Sequence, residues 1–77
     1  MARIAKGGYI QNGKVHKYRT LIMDADKWAQ EKAEFLRSFY GCETRINVYP
    51  QSIQLQAYRK AEKRKKEINI TFNLEFV

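Results

Sequence analysis

The sequence contains few residues that could cross-link a small protein or fix it in a membrane. Its 77 residues include one cysteine (Cys42), one histidine and one proline. A single thiol excludes an internal disulfide and a cysteine-based metal site, so we expect a protein of a reducing, cytoplasmic compartment. No apolar run approaches the roughly 20 residues of a membrane-spanning helix, and the first ten residues lack the apolar core of a signal peptide. We therefore expect neither export by that route nor insertion into a membrane.

Length and composition favour one folded domain over residues 1–77. A chain of this size buries only about 60% of its unfolded surface, which leaves no room for a second core. Hydrophobic residues still make up 44% of the sequence and aromatic residues 13%, too much apolar material for a disordered tail. The chain also lacks internal repeats and any Pro/Gly/Ser-rich linker that would mark a domain boundary.

Acidic residues are few, and basic residues outnumber them most strongly in two segments of the chain. The chain has 15 Lys and Arg against 8 Asp and Glu, which gives a net charge of +7. Residues 1–23 contain five bases and no acid, residues 24–43 three bases and five acids, and residues 59–67 six bases and two acids. Because two segments hold most of the positive charge, we expect an anionic partner, either nucleic acid or an acidic protein surface.

The dipeptide Asn12-Gly13 predicts a β-hairpin over about residues 3–23, since these residues tolerate the positive φ angles of a type I′ turn. Two-residue closure places Lys6 directly across from Arg19, on the face opposite the core. A bulge at Gly7-Gly8 would shift this register. The side chains expected on the core face of the hairpin are Ala5, Tyr9, Tyr18, Thr20 and Ile22.

A period of 3.6 residues predicts one amphipathic helix over about residues 25–40. Asp24 or Asp26 is placed to cap its first turn, and Gly41 is placed to end it. Lys32 falls within the apolar stripe, so either its ammonium group snorkels to water or the stripe consists of two faces, one of which meets a partner. The stripe contains Ala25, Trp28, Ala29, Ala33, Phe35, Leu36, Phe39 and Tyr40.

After Cys42 the period changes to two, which predicts a three-stranded meander over about residues 44–77. The elements together predict an α+β fold of order ββαβββ, with an antiparallel sheet and the amphipathic helix packed on one face. The last strand, at residues 68–76, lies either in the centre of the sheet beside the hairpin or at its edge. We favour the edge, where it would pair with a second copy and form a homodimer.

The basic connection at residues 59–67 contains no glycine, proline or asparagine for a tight turn, so we expect an extended finger or a short helical turn. Clustered Lys and Arg bind nucleic acid by releasing the counterions condensed on phosphates. On an ordinary surface the same cluster only keeps neighbouring strands soluble. The connection therefore supports nucleic-acid binding mainly in combination with the second basic segment, the hairpin.

We predict a nucleic-acid-binding domain that contacts mainly phosphates and has limited sequence specificity. Tyr49 and Tyr58 fall on polar strand faces, where exposed rings beside cations stack on bases. The predicted contact residues are Lys6, Lys14, Lys17, Arg19, Arg45, Tyr58, Arg59, Lys60, Lys63, Arg64, Lys65 and Lys66. The alternative is an inhibitor or adaptor, of the kind that phages and other mobile elements encode, docking on an acidic surface of a nucleic-acid-handling protein.

The sequence offers little for catalysis. His16 and Cys42 are its only histidine and thiol, and they belong to different predicted elements. Helix capping accounts for Asp24 and Asp26. We therefore predict no enzymatic activity, no metal site and no cofactor. The chain also lacks the Gly-x-x-Gly loop and the aromatic run of common RNA-binding modules.

Overall fold

The computed structural model describes residues 3–77, which form a five-stranded antiparallel sheet covered on one face by a helix. In chain order the elements are β1 (Ala5–Gln11), β2 (Lys14–Lys17), α1 (Ala25–Tyr40), β3 (Glu43–Val48), β4 (Ser52–Arg59) and β5 (Ile68–Phe76). Across the sheet the strand order is β2-β1-β5-β4-β3. The predicted α+β fold of order ββαβββ is confirmed.

The last strand lies in the centre of the sheet, so the expected edge position is wrong. β5 pairs with β1 on one side, from Ala5↔Phe76 to Gln11↔Ile70, and with β4 on the other. Its backbone donors and acceptors are thereby used within the sheet, and the predicted homodimer through this strand has no free edge on which to form. The central position also buries the apolar face of β5 under the helix, where Phe72 and Leu74 are almost inaccessible.

The hairpin turn forms as predicted, with positive φ at Asn12 (51°) and Gly13 (83°). The ladder between β1 and β2 ends at the Gly8↔Lys17 pair. Further out, Ala5 pairs with Ile22, two residues away from the expected register. The predicted pairing of Lys6 with Arg19 is therefore not formed, and Thr20, which was expected in the core, is exposed.

Gly7 and Gly8 lie where β1 comes very close to the backbones of its two neighbours. A Cβ on Gly7 would lie 1.9 Å from the carbonyl oxygen of Asn73 in β5, and one on Gly8 would lie 1.9 Å from that of His16 in β2. The register between β1 and β5 is nevertheless unbroken. The glycine pair thus marks a close backbone approach, and not the bulge considered from the sequence.

The helix has the ends that its sequence predicts. The Asp24 carboxylate caps α1 by accepting a hydrogen bond from the Lys27 amide, and Gly41 ends it in the left-handed conformation with φ of 70°. Asp26 has a different partner, because its carboxylate accepts two hydrogen bonds from the Arg3 guanidinium. This ion pair ties the first turn of the helix to the segment that leads into β1.

The core lies between α1 and the apolar face of the sheet. The helix contributes mainly small side chains, so it packs closely on β3 and β4. Trp28 fills the space beside them, with its ring edge-on to Phe72 at a centroid distance of 5.4 Å. The buried core residues are Ala5, Ala25, Ala29, Ala33, Leu36, Cys42, Ile53, Leu55, Ala57, Phe72 and Leu74.

Candidate nucleic-acid interface

The connection between β4 and β5 is an extended finger, one of the two forms expected from the sequence. Glu62 and Lys65 exchange two backbone hydrogen bonds, each with an N–O distance of 3.0 Å, and Lys63-Arg64 forms the tip between them. Every residue from 60 to 67 is exposed to solvent. We refer to residues 60–67 as the basic finger, which has five Lys and Arg and two Glu and therefore a charge of +3.

Arg59, the last residue of β4, fixes the base of the basic finger. Its Nη1 donates to the carbonyl oxygen of Tyr40 at 3.0 Å, and its Nη2 donates to the carbonyl oxygen of Lys66 at 2.7 Å. Its Nε is buried without an acceptor among the described residues. The guanidinium of Arg59 thus joins the end of α1 to the far side of the finger, and its predicted contact with phosphate stays a prediction.

The cations of the basic finger form no ion pair with any residue of the described chain. Within residues 3–77 the salt bridges are Arg3–Asp26 and Lys27–Glu31, and neither involves the finger. The side chains of Lys60, Lys63, Arg64, Lys65 and Lys66 are exposed and are therefore accessible to an anionic ligand in solution. They form the densest group of predicted contact residues in the structure.

A second set of predicted residues lies on the sheet face that the helix leaves open. The set consists of Lys6, Lys17, Arg45 and Tyr58, which alternate along their strands with residues facing the helix. A row of amides runs across this face from the edge strand β3 to the central strand β5: Asn47 Nδ2 donates to Gln54 Oε1, and Gln54 Nε2 donates to Asn73 Oδ1, each at 3.3 Å. Glu75 lies directly across from Lys6, so this face is less basic than the finger.

Two other predicted cations lie at opposite ends of the sheet. Lys14 is the first residue of β2, directly after the hairpin turn, and the amide of Asn12 in that turn donates to the carbonyl oxygen of Asn69 at 3.3 Å. This hydrogen bond places Lys14 at the end of the sheet from which the basic finger projects. Arg19 lies in the β2-α1 connection towards the other end, where Ile22 pairs with Ala5. The fold therefore brings Lys14 towards the finger and leaves Arg19 away from it.

The two tyrosines expected to stack on bases are also separated. Tyr58 is 43% exposed and lies next to Arg59, at the base of the finger. Tyr49 is similarly exposed, but it lies in the turn between β3 and β4, where its amide donates to the carbonyl oxygen of Ser52. Only Tyr58 is adjacent to the cluster of finger cations.

An aromatic group that the sequence assigned to the core is in fact at the surface. Phe35, Phe39 and Tyr40 are 44%, 71% and 40% exposed. Their ring centroids lie 5.0–5.7 Å apart, with Phe35 and Phe39 stacked and Tyr40 edge-on to both. We call these three residues the aromatic trio. The apolar stripe of α1 therefore consists of a buried face and an exposed face. This agrees with the interpretation of Lys32 in which the stripe is divided into two faces.

The spacing of the buried helix residues explains this exposure. Ala25, Ala29, Ala33 and Leu36 define a narrow stripe that packs on the sheet. Phe35 and Phe39 lie on the flank of that stripe, and Tyr40 is the final residue of the helix. A stripe drawn through the small residues alone, and not through all apolar positions, would have placed the two phenylalanines outside the core.

The histidine and the cysteine, the two residues with catalytic potential, are packed against or buried among other side chains. The His16 ring stacks on Tyr9 at a centroid distance of 4.7 Å. Cys42 is buried, and burial raises the pKa of its thiol, which disfavours the nucleophilic thiolate. Among residues 3–77 no cluster of three His, Cys, Asp or Glu side chains is arranged to hold a metal ion. No helix of this part of the chain is long and apolar enough to span a bilayer.

Comparison of the chain with protein-family models, with curated proteins and with solved structures found no match.

Proposed function

We propose that this domain binds nucleic acid, with the basic finger as its principal phosphate-binding element. The observation that carries the proposal is the set of five exposed cations, without ion pairs in residues 3–77, on one short connection whose base is fixed by Arg59. Counterion release depends on the number of phosphates that such cations neutralise. A finger held at its base also loses less conformational entropy on binding than a free tail would.

The open sheet face supports the same function in a lesser role. Lys17 and Arg45 lie on the two edge strands of the sheet, and the amide row runs from β3, the strand of Arg45, across β4 to β5. Amide groups donate and accept hydrogen bonds, so they suit phosphate, sugar and base edges alike. We propose a reducing, cytoplasmic location as well, because Cys42 has no second cysteine with which to form a disulfide.

The test compares two variants that lower the net charge equally. K63Q/R64Q neutralises the tip of the finger, and R19Q/K27Q neutralises one Arg and one Lys away from it. We expect K63Q/R64Q to weaken binding to labelled DNA and RNA and to flatten the dependence of log K on log[salt] by up to about 0.9 for each phosphate that is no longer neutralised. R19Q/K27Q should change both quantities less, since only the long-range field is altered.

An affinity and a salt slope of K63Q/R64Q equal to those of the native chain would remove the finger from the interface. If the native chain bound neither DNA nor RNA and instead retained an acidic protein from nuclease-treated lysate, the alternative of an inhibitor or adaptor would replace this proposal.

A further inference from the structure

We infer that the nucleic acid is single-stranded and that its bases stack on the aromatic trio. This inference rests on the function proposed above and assigns a base-binding surface beside the phosphate-binding finger. Phe39 is the most exposed of the three rings at 71%, and Phe35 stacks on it at a centroid distance of 5.2 Å with the ring planes 14° apart. The trio is thus a preformed platform of large apolar rings at the surface.

The platform and the finger are joined through one guanidinium group. Tyr40 contributes its ring to the trio and its carbonyl oxygen to Arg59 Nη1, while Arg59 Nη2 binds the carbonyl oxygen of Lys66 in the finger. The rings that would stack on bases and the cations that would contact phosphates therefore lie next to each other at one end of the domain. Proteins that bind single strands without strong sequence preference combine these two features.

The trio also continues into an apolar groove that contains a further cation. The groove lies between α1 and the β1-β5 part of the sheet, and Tyr9, Tyr18, Ile68 and Ile70 contribute to its lining. Lys32 lies in this groove, with its ammonium nitrogen 5.7 Å from the centroid of the Phe35 ring. An occupant of this surface would meet the positive charge of Lys32 as well as that of the finger.

These features favour a single strand over a duplex and over a protein. In a duplex the faces of the bases are stacked on one another, so exposed phenylalanine rings would meet the backbone and the edges of base pairs but no free base face. A partner protein would have to place an apolar docking segment on the rings and acidic side chains at the finger at the same time. A flexible chain of planar bases and phosphates matches both the rings and the charges.

The test uses variants of Phe39 in the full chain. Phe39→Leu keeps apolar bulk and removes the π-face, whereas Phe39→Trp keeps a ring and adds a fluorescent reporter at the surface. We expect F39L to weaken binding to a single-stranded oligonucleotide at least about fivefold and to abolish the preference for single strands over a duplex of equal length. F39W should retain the preference, and its added fluorescence should be quenched when bases stack on the indole.

The outcomes separate this inference from the proposed function. Unchanged single-strand affinity in F39L, together with a flattened salt slope in K63Q/R64Q, would overturn the base platform and leave the finger in place. A native chain that self-associates in sedimentation, and that F39L converts to a monomer with unchanged oligonucleotide binding, would show that the trio is a protein interface and would also overturn the inference. An unchanged salt slope in K63Q/R64Q would overturn the proposed function itself.

Discussion

Arg59 donates a hydrogen bond from Nη1 to the carbonyl oxygen of Tyr40, 3.0 Å away, and thereby joins the last residue of β4 to the last residue of α1. The free carbonyl groups at the end of a helix need donors, and they carry partial negative charge that favours a cation. The same guanidinium holds the finger through the carbonyl oxygen of Lys66. One side chain therefore donates to one of the terminal carbonyl groups of the helix and positions the most basic segment of the chain.

The first prediction concerns these two hydrogen bonds. Arg59→Lys should lower the free energy of unfolding by about 1–3 kcal/mol, because an ammonium group cannot reach both carbonyl groups in the geometry of the guanidinium fork. Amide hydrogen exchange in residues 60–67 should become faster in the same variant. Urea denaturation measures the first effect. The matched control is Arg64→Lys at the exposed finger tip, and an equal fall in stability there would show that the hydrogen bonds of Arg59 do not matter.

The second prediction distinguishes two reasons why a position requires glycine: a close backbone contact at Gly7 and a positive φ angle at Gly13. Gly7→Ala should prevent folding or reduce stability severely, since its Cβ would lie 1.9 Å from a backbone oxygen that cannot move without distorting β5. Gly13 has open space around it but a φ of 83°, so Gly13→Ala should cost only about 1–2 kcal/mol. Gly13→Asn should be better tolerated than Gly13→Val, which is β-branched.

Circular dichroism and thermal melting check this order of effects. A Gly7→Ala variant as stable as Gly13→Asn would mean that β1 and β5 are not as close as described. Equal melting temperatures for Gly13→Val and Gly13→Asn would mean that the turn does not require positive φ.

The third prediction follows from the central position of β5. Thr71 pairs with Ile10 on one side and Gln56 on the other, so Thr71→Pro deletes a backbone donor within the sheet and should unfold the domain. Thr71→Val is the control, because it keeps the donor and a β-branched side chain. A folded Thr71→Pro monomer, observed by sedimentation and circular dichroism, would instead fit an edge strand.

The fourth prediction concerns acid stability. The two hydrogen bonds from Arg3 are the main cause that lowers the pKa of Asp26 below its ordinary value of 3.8, and the charge of Arg3 acts in the same direction against the opposing effect of desolvation. A carboxyl group with a lowered pKa in the folded state stabilises the fold above its unfolded pKa, and this contribution disappears as the pH falls through the folded pKa.

The native chain should therefore be more stable than Asp26→Asn above about pH 4, and the two should converge at lower pH. Denaturation at a series of pH values between about 2 and 6 measures the difference. A constant difference across this range would show that the Arg3–Asp26 interaction does not depend on ionisation. Glu75→Gln, on the open sheet face, provides a charge-matched control.

Local signals in the sequence determined the elements of this protein. The Asn12-Gly13 turn, the cap at Asp24 and the end of the helix at Gly41 all depend on the φ angles or hydrogen bonds of a few adjacent residues. The apolar periods then predicted one helix and five strands, because alternation and the 3.6-residue repeat are properties of a single element. The α+β class followed from the order of these elements.

The tertiary structure decided how the elements are arranged and which residues reach the surface. The alternation of apolar and polar residues in β5 is compatible with an edge strand as well as with a central strand. Only its pairing with both β1 and β4 places it in the centre of the sheet. The trio of Phe35, Phe39 and Tyr40 is exposed because the small residues of α1 set its contact face, which depends on the sheet opposite. Arg59 likewise acquires its role from Tyr40, a residue distant in sequence. Non-local packing determines all three features, and the composition of an isolated segment carries no information about its neighbours in space.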